Sequence, residues 1–252
     1  MDYLSGLNER QKEAVLHTHG ALLIVAGAGA GKTKTVTHRI IHLIHEGVSP
    51  ENILAVTFTN KAAKEMVERV GHMLSGTPSR PMIATFHSLA VKILRENAEK
   101  IGFNRHFVIL DDADTNSIIR DVLKDLNIDP KQSPIRMFKS VISSQKNNFV
   151  SLEEFGKNAQ SYNAQVIARV WQKYEEKKIK EKGMDFDDLL LKTVLLFQDH
   201  KEILDIYQER WKFIHVDEYQ DTNTVQYLLT KLLAKKYGNI CVVGDGDQNI
   251  YS

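Results

Sequence analysis

One cysteine, Cys241, is all the thiol this chain carries. That excludes an intramolecular disulfide framework and suits a reducing, cytoplasmic compartment. Long apolar runs are missing too. The longest clear one, Ala21–Ala26, is far too short to cross a bilayer, so no membrane partner is expected. Met1–Leu7 has no basic stretch leading into an apolar one, and so no sign of a signal peptide. Nor does one charge dominate: 33 Lys+Arg against 32 Asp+Glu leave a net charge of +1. The molecule as a whole therefore exerts no long-range pull on a polyanion, and any nucleic-acid site must be a local groove. What is present is ordinary for a globular protein. The 252 residues, 42% hydrophobic and 26% charged, exclude a disordered or collagenous chain and suffice for one large domain or two smaller ones.

Apolar runs of strand length alternate with helical spacing. Ala21–Ala26, Ile53–Thr59, Met82–Phe86, Phe213–Asp217 and Asn239–Gly244 read as strands. Being continuous rather than alternating, they predict cover on both faces. Val36, Ile40, Leu43, Ile44 and Val48 keep helical spacing, as do Ala63, Met66, Val67, Val70 and Leu74, and again Val225, Leu228, Leu229, Leu232 and Leu233. This is the pattern of an α/β domain with a parallel sheet and right-handed crossovers. Between Asp111 and Phe197 only helices are legible, marked by Ile118, Ile119, Val122, Leu123 and Leu126, by Ser133-Pro134, by the cap pattern Ser151–Glu154, and by Val166, Ile167, Val170, Trp171 and Tyr174. Basic and acidic residues balance there. The sequence predicts an all-helical subdomain, 111–197, inserted between two parts of the α/β domain, 1–110 and 198–252.

The segment Ala26-Gly27-Ala28-Gly29-Ala30-Gly31-Lys32-Thr33 follows a strand and opens a helix. That context is what a phosphate-binding loop requires. Glycines let backbone amides turn toward phosphate oxygens, and the helix start adds partial positive charge. Lys32 is placed to reach the β- and γ-phosphates and the Thr33 hydroxyl to ligate Mg²⁺. A strict loop of this kind begins with Gly where Ala26 stands; the Gly-Lys-Thr end is intact. The bland alternative is a tight strand–helix turn.

A later strand ends in Asp217-Glu218-Tyr219-Gln220. Strand ends are where ligands meet an open α/β sheet. Asp217 is placed to hold Mg²⁺ and Glu218 to polarise an attacking water, two roles that hydrolysis keeps separate. The alternative is a solvated acidic turn. A third strand delivers Asp245-Gly-Asp-Gln248-Asn-Ile-Tyr251, in which Gln248 is a candidate γ-phosphate sensor; Asp245 and Asp247 equally suit a turn cap.

Taken together and in order, these segments resemble the UvrD/Rep/PcrA group of superfamily 1 DNA helicases. Leu7–Gln11 resembles that family's adenine-reading Q motif, Ala26–Thr33 motif I, Thr57–Ala63 motif Ia and Thr85–Ser88 motif Ib. Asp185–Leu189 is similar to a motif closing the inserted subdomain, Asp217–Asn223 to motif II and Gly244–Tyr251 to motif III. The resemblance implies a RecA-like domain 1A interrupted by a helical domain 1B, using ATP and Mg²⁺ to move 3′→5′ on single-stranded DNA and to open junctions with duplex. It implies a monomer. Gln11 and Lys34 would face the adenine, and Lys32, Thr33, Asp217, Glu218, Gln220 and Gln248 would surround the triphosphate and metal. Thr57, Phe58, Thr59, Asn60, Thr85, His87, Ser88, Phe186 and Tyr251 would line the DNA track. Aromatic faces grip any base at about 1–3 kcal/mol each, and small polar groups bond phosphates without a large field.

Two departures stand out. Lys34 occupies a position where the family usually has Arg, and an ammonium stacks on adenine less well than a guanidinium. The chain also ends directly after motif III. The sequence therefore predicts a cut chain that lacks domains 2A and 2B and is impaired in hydrolysis and unwinding. The remaining candidates read more plainly. His38, His42 and His45 suggest a solvated helix face, His215 a packed strand residue, and Trp171, Tyr174 and Trp211–Phe213 core. Lys177, Lys178 and Lys180, flanked by glutamates, suggest a charged helix surface.

Overall fold

The computed structural model describes residues 3–74, 79–131 and 133–246. In chain order the elements are α1 (Glu9–Leu16), β1 (Leu22–Val25), α2 (Lys32–His45), β2 (Ile53–Thr57), α3 (Asn60–Met73), β3 (Met82–Thr85), α4 (Phe86–Glu96) and β4 (Val108–Ile109). There follow α5 (Asp112–Asp125), α6 (Ile135–Asn147), α7 (Leu152–Lys157), α8 (Tyr162–Lys180), β5 (Gly183–Met184), α9 (Phe186–Asp199), α10 (Lys201–Arg210), β6 (Phe213–Val216), α11 (Thr224–Ala234) and β7 (Ile240–Gly244). The chain divides into two compact units. One comprises Met1–Leu89, Phe197–Thr222 and Tyr227–Ser252; the other comprises Ala90–Leu196 and Asn223–Gln226.

In the first unit five parallel strands form one sheet in the order β1-β7-β6-β2-β3. The five expected strands are all there, and the class is α/β. Val36, Ile40, Ile41 and Leu43 of α2, with Met66 and Val70 of α3, pack on Ile53, Ala55, Phe213, Cys241 and Val243 of the strands. Each fully buried aliphatic side chain there contributes about 1.5–3 kcal/mol. β2 and β6 are buried throughout, as continuous apolar strands should be. β1 departs from the expectation. It lies at the sheet edge, and Leu23 and Val25 on its outer face are each 63% exposed.

In the second unit α5, α6 and α8 pack through Ile118, Ile119, Val122, Leu123, Phe138, Ile142, Val170, Trp171 and Tyr174. Trp171 and Tyr174 are core, as expected. The reading of 111–197 as purely helical needs one correction, because β5 pairs in parallel with β4. Two residues carry no periodic signal. The pairing depends on Gly183, where a Cβ would lie 2.8 Å from the Leu110 side chain. Among the described residues no helix is long and apolar enough to cross a membrane.

Candidate active site at the strand ends

Because the five strands run parallel, the loops that follow them leave from one edge of the sheet, where open α/β sheets take their ligands. The loop after β1 continues its ladder for one bond, Ala26 N–H to the Gly244 carbonyl at 3.1 Å. Gly29 and Gly31 then adopt φ of +75° and +82°, which glycine takes without strain. At Gly31 a Cβ would lie 3.0 Å from Gln11 Nε2. Gln11 itself closes the cap of α1: its backbone N–H donates to Asn8 Oδ1, and its Oε1 accepts from Asn8 N–H. Its Nε2 donates to the Ala30 carbonyl at 3.0 Å, tying α1 to the phosphate loop. Lys34 Nζ donates to the Gly6 carbonyl at 2.8 Å.

Lys32 and Thr33 join this loop to two other strand ends. Lys32 Nζ donates to the Ala26 carbonyl at 3.0 Å and meets Asp245 Oδ2, just after β7, at 3.3 Å. Thr33 Oγ1 donates to Asp217 Oδ2, just after β6, at 3.0 Å. Asp217 is 2% exposed. Burial pushes its carboxyl above the usual range, the Thr33 hydroxyl opposes this, and neighbouring Glu218 adds to the rise. Glu218 stands in left-handed backbone at φ +52°. Gln220 bridges the two acidic ends: its Nε2 donates to Glu218 Oε2 at 2.9 Å, and its Oε1 accepts from Asp245 N–H at 3.0 Å. A hydroxyl and a carboxylate 3.0 Å apart are hard oxygen donors of the kind magnesium takes alongside water. The donor set therefore fits the expected ion.

Asp245 is the residue that sequence reasoning undervalued. It is buried and ion-paired with Lys32 rather than capping an outer turn. Gln248 and Tyr251 lie outside the described residues.

The loops after β2 and β3 sit side by side, with Thr57 opposite Thr85 in the register. Both threonines are buried. Thr57 Oγ1 donates to the Thr59 carbonyl and Thr85 Oγ1 to Ser88 Oγ, so these hydroxyls shape the loops rather than face outward. Thr59 caps α3 by accepting from Ala62 N–H. Thr59, Asn60 and Ser88 are exposed, and Phe58 and His87 are half-buried. The Phe58 ring meets Phe86 edge-on at 5.5 Å.

In the second unit Phe186 opens α9 and is 47% exposed. The turn that carries it is fixed by a buried ionic cluster. Lys146 Nζ reaches Asp185 at 2.9 Å, Asp188 at 2.8 Å and Glu175 at 2.9 Å. Lys178 Nζ reaches Asp185 at 2.8 Å, Glu175 at 3.0 Å and also Asp188. The Tyr174 hydroxyl donates to Asp185. Burial acts against every charge here. The three carboxylates nonetheless hold Lys146 well above the usual lysine range, and the two ammonium groups hold Asp185 and Asp188 below the usual carboxylate range. Glu175, Asp185 and Asp188 stand close enough to share a metal ion, but Lys146 and Lys178 already bond all three.

Lys178 thus corrects the reading of 177–180 as a solvated face, since it is 1% exposed. A signal was available. Lys146 continues the buried stripe Phe138–Ile142 at a spacing of four, and Lys178 continues Trp171–Tyr174. Two of the three histidines of α2 are corrected too: His42 is buried and His38 half-buried, while His45 is exposed as expected. The Tyr3 hydroxyl bonds His42 Nδ1 at 2.8 Å, the Tyr3 ring stacks on His45 at 4.7 Å, and the Tyr3 carbonyl meets His38. His215 is packed as expected, its pKa pulled down to about 3 by burial.

A family model described as UvrD/REP helicase N-terminal domain matches residues 7–252. The chain is similar to a Bacillus subtilis (strain 168) protein named ATP-dependent DNA helicase PcrA, at 51% identity over 249 residues, 98% of this chain and 34% of that protein. Proteins of the same name from Staphylococcus epidermidis (strain RP62A) and Staphylococcus aureus (strain Mu50) are 49% identical over the same length and coverage. The chain spans about a third of the length of these relatives.

Proposed function

Because the chain belongs to the UvrD/REP helicase N-terminal domain family, we propose that it is the ATP-binding part of a motor that moves 3′→5′ along single-stranded DNA and opens junctions with duplex. One observation carries most weight: the Thr33–Asp217 bond stands one residue from the Lys32–Asp245 pair, so cation, hydroxyl and carboxylate converge on one spot. In this reading Lys32 gives up the Ala26 carbonyl to hold the β- and γ-phosphates. Thr33 and Asp217 hold magnesium, which when bound neutralises charge between those phosphates. Glu218 orients the attacking water, and Gln220, tied to both Glu218 and Asp245, keeps the two acidic ends in step. Gln248 senses the γ-phosphate. Gln11 and Lys34 meet the base. Phe58, Thr59, Asn60, His87, Ser88, Phe186 and Tyr251 grip the strand, with Thr57 and Thr85 setting their loops. The motor works as a cytoplasmic monomer. The 252 residues alone hydrolyse ATP slowly, because transition-state arginines in such motors come from a second domain and are worth about 10³–10⁵ in rate.

The test is binding of labelled oligo-dT with and without a non-hydrolysable ATP analogue and Mg²⁺. A motor domain binds the strand and changes its affinity with nucleotide. Strand binding indifferent to nucleotide would leave a passive binding module. Nucleotide binding without any affinity for DNA would return the chain to the metabolic P-loop enzymes. DNA-stimulated turnover at a helicase-like rate by these residues alone would overturn the slow-hydrolysis expectation.

A further inference from the structure

We propose that Asn147 is a positioning residue that couples the Asp217–Asn223 segment to the helix bearing Phe186, so that nucleotide state and strand grip communicate through one side-chain amide. The inference rests on the reading above of Phe186 as a strand contact and of Asp217 and Glu218 as the metal and water residues.

The chemistry of the contact is directional. Asn147, the last residue of α6, accepts at Oδ1 from Asn223 Nδ2 at 2.7 Å. Its Nδ2 donates to Asp187 Oδ1 at 3.1 Å and to Ser143 Oγ at 3.2 Å. An ionised carboxylate only accepts, so Asp187 fixes which end of the amide faces it and leaves the carbonyl end for Asn223. Asn223 is equally committed. Its Oδ1 accepts from Gln226 N–H at 2.9 Å and its N–H donates to Gln226 Oε1 at 3.0 Å, a reciprocal cap at the start of α11. Asn223 is also the residue that follows Thr222, where the covalent chain passes from the first unit into the second.

At the other end, Asp187 follows Phe186 within a turn that Lys146 and Lys178 hold rigid through Asp185 and Asp188. A shift of the Asp217–Asn223 segment is therefore handed through a two-bond link to the turn that aims Phe186. Alanine at 147 offers neither bond, and aspartate sets a carboxylate against Asp187. Only an amide serves both neighbours.

The experiment measures oligo-dT affinity of the 252-residue chain by fluorescence anisotropy, with and without Mg²⁺ and a non-hydrolysable ATP analogue. Wild type is compared with Asn147→Ala and Asn223→Ser, the latter keeping a helix-capping hydroxyl while losing the amide donor. Expected is a nucleotide-dependent change in wild type that shrinks about fivefold in each variant, the worth of one neutral hydrogen bond. The double variant should be no worse than either single one, because both remove the same link. Nucleotide affinity without DNA should stay within about twofold of wild type. Full retention of the nucleotide response in Asn147→Ala, or equal weakening of strand binding in both nucleotide states, overturns the proposal. If Asn147→Ala does not fold, Asn223→Ser decides by the same criterion. A wild-type chain that binds oligo-dT without a nucleotide response sinks the coupling and leaves a strand-binding domain. One that ignores oligo-dT altogether sinks the function from which the coupling was built.

Discussion

Replacing Lys146 by methionine keeps all but the last atom of the side chain's length and removes one of two ammonium groups from a buried cluster. Asp185, Asp188 and Glu175 then face Lys178 alone, three carboxylates against one cation. Breaking a buried ion pair by removing one partner costs about 3–5 kcal/mol, because the remaining charge has lost its compensation. At 2–4 °C per kcal/mol for a chain of this size, that is a fall in Tm of about 6–20 °C. The assay is urea unfolding followed by Trp171, which sits in the same core and donates to Glu175 Oε1. The chain has two tryptophans, so a Trp211→Phe background isolates the signal. The pH dependence supplies a second check. In wild type Asp185 and Asp188 titrate below their unfolded values, so their contribution is present above about pH 4 and is lost as pH falls below it. In the variant their folded pKa values rise, protons are taken up on folding, and the deficit relative to wild type must shrink as pH is lowered from 7 towards 5. A loss below about 1 kcal/mol, or a deficit that grows on acidification, would refute the account of this cluster.

Asp217→Asn should remove the magnesium-dependent part of nucleotide binding, about 10- to 100-fold for a lost contact to a charged group, measured by titration with and without Mg²⁺. Gly31→Ala meets Gln11 Nε2 at 3.0 Å from a positive-φ position, so it should destabilise the chain by about 1–2 kcal/mol and weaken nucleotide binding by calorimetry. His215 stays neutral when folded, with its pKa pulled down to about 3. The unfolded chain therefore binds the extra proton between about pH 6.5 and 3, and stability is lost as pH falls through that window. His215→Leu should flatten the Tm-against-pH curve between pH 7 and 5; an unchanged slope would assign the acid sensitivity elsewhere. Phe186→Ala should weaken oligo-dT binding by about 1–3 kcal/mol while leaving Tm nearly unmoved.

The phosphate loop and the strand before the acidic pair were legible because their information is local. Gly29, Gly31, Lys32 and Thr33 carry their chemistry in consecutive residues, and Phe213–Val216 is apolar throughout. What escaped is long-range. Asp245 looks like any turn aspartate until Lys32, far away in sequence, is placed beside it. His38 and His42 read as a solvated face because Tyr3, which bonds to both, lies 39 residues before His42. Lys178 read as surface, and Lys146 was not singled out, because lysine is almost always exposed and only their place on apolar stripes argued otherwise. The outward half of β1 escaped because an edge strand and an interior strand share the same apolar composition.

Glu218 holds a left-handed backbone that a residue with a side chain keeps only under constraint, at a cost of about 1–3 kcal/mol. Glycine there would be the more comfortable residue. The fold therefore carries, at the carboxylate proposed to orient water, a small debit against its own durability. If Glu218 has the proposed role, a stabilising screen run without regard to turnover should drift toward relaxing that position first, and the sturdiest descendants of this chain would be the ones least able to burn fuel.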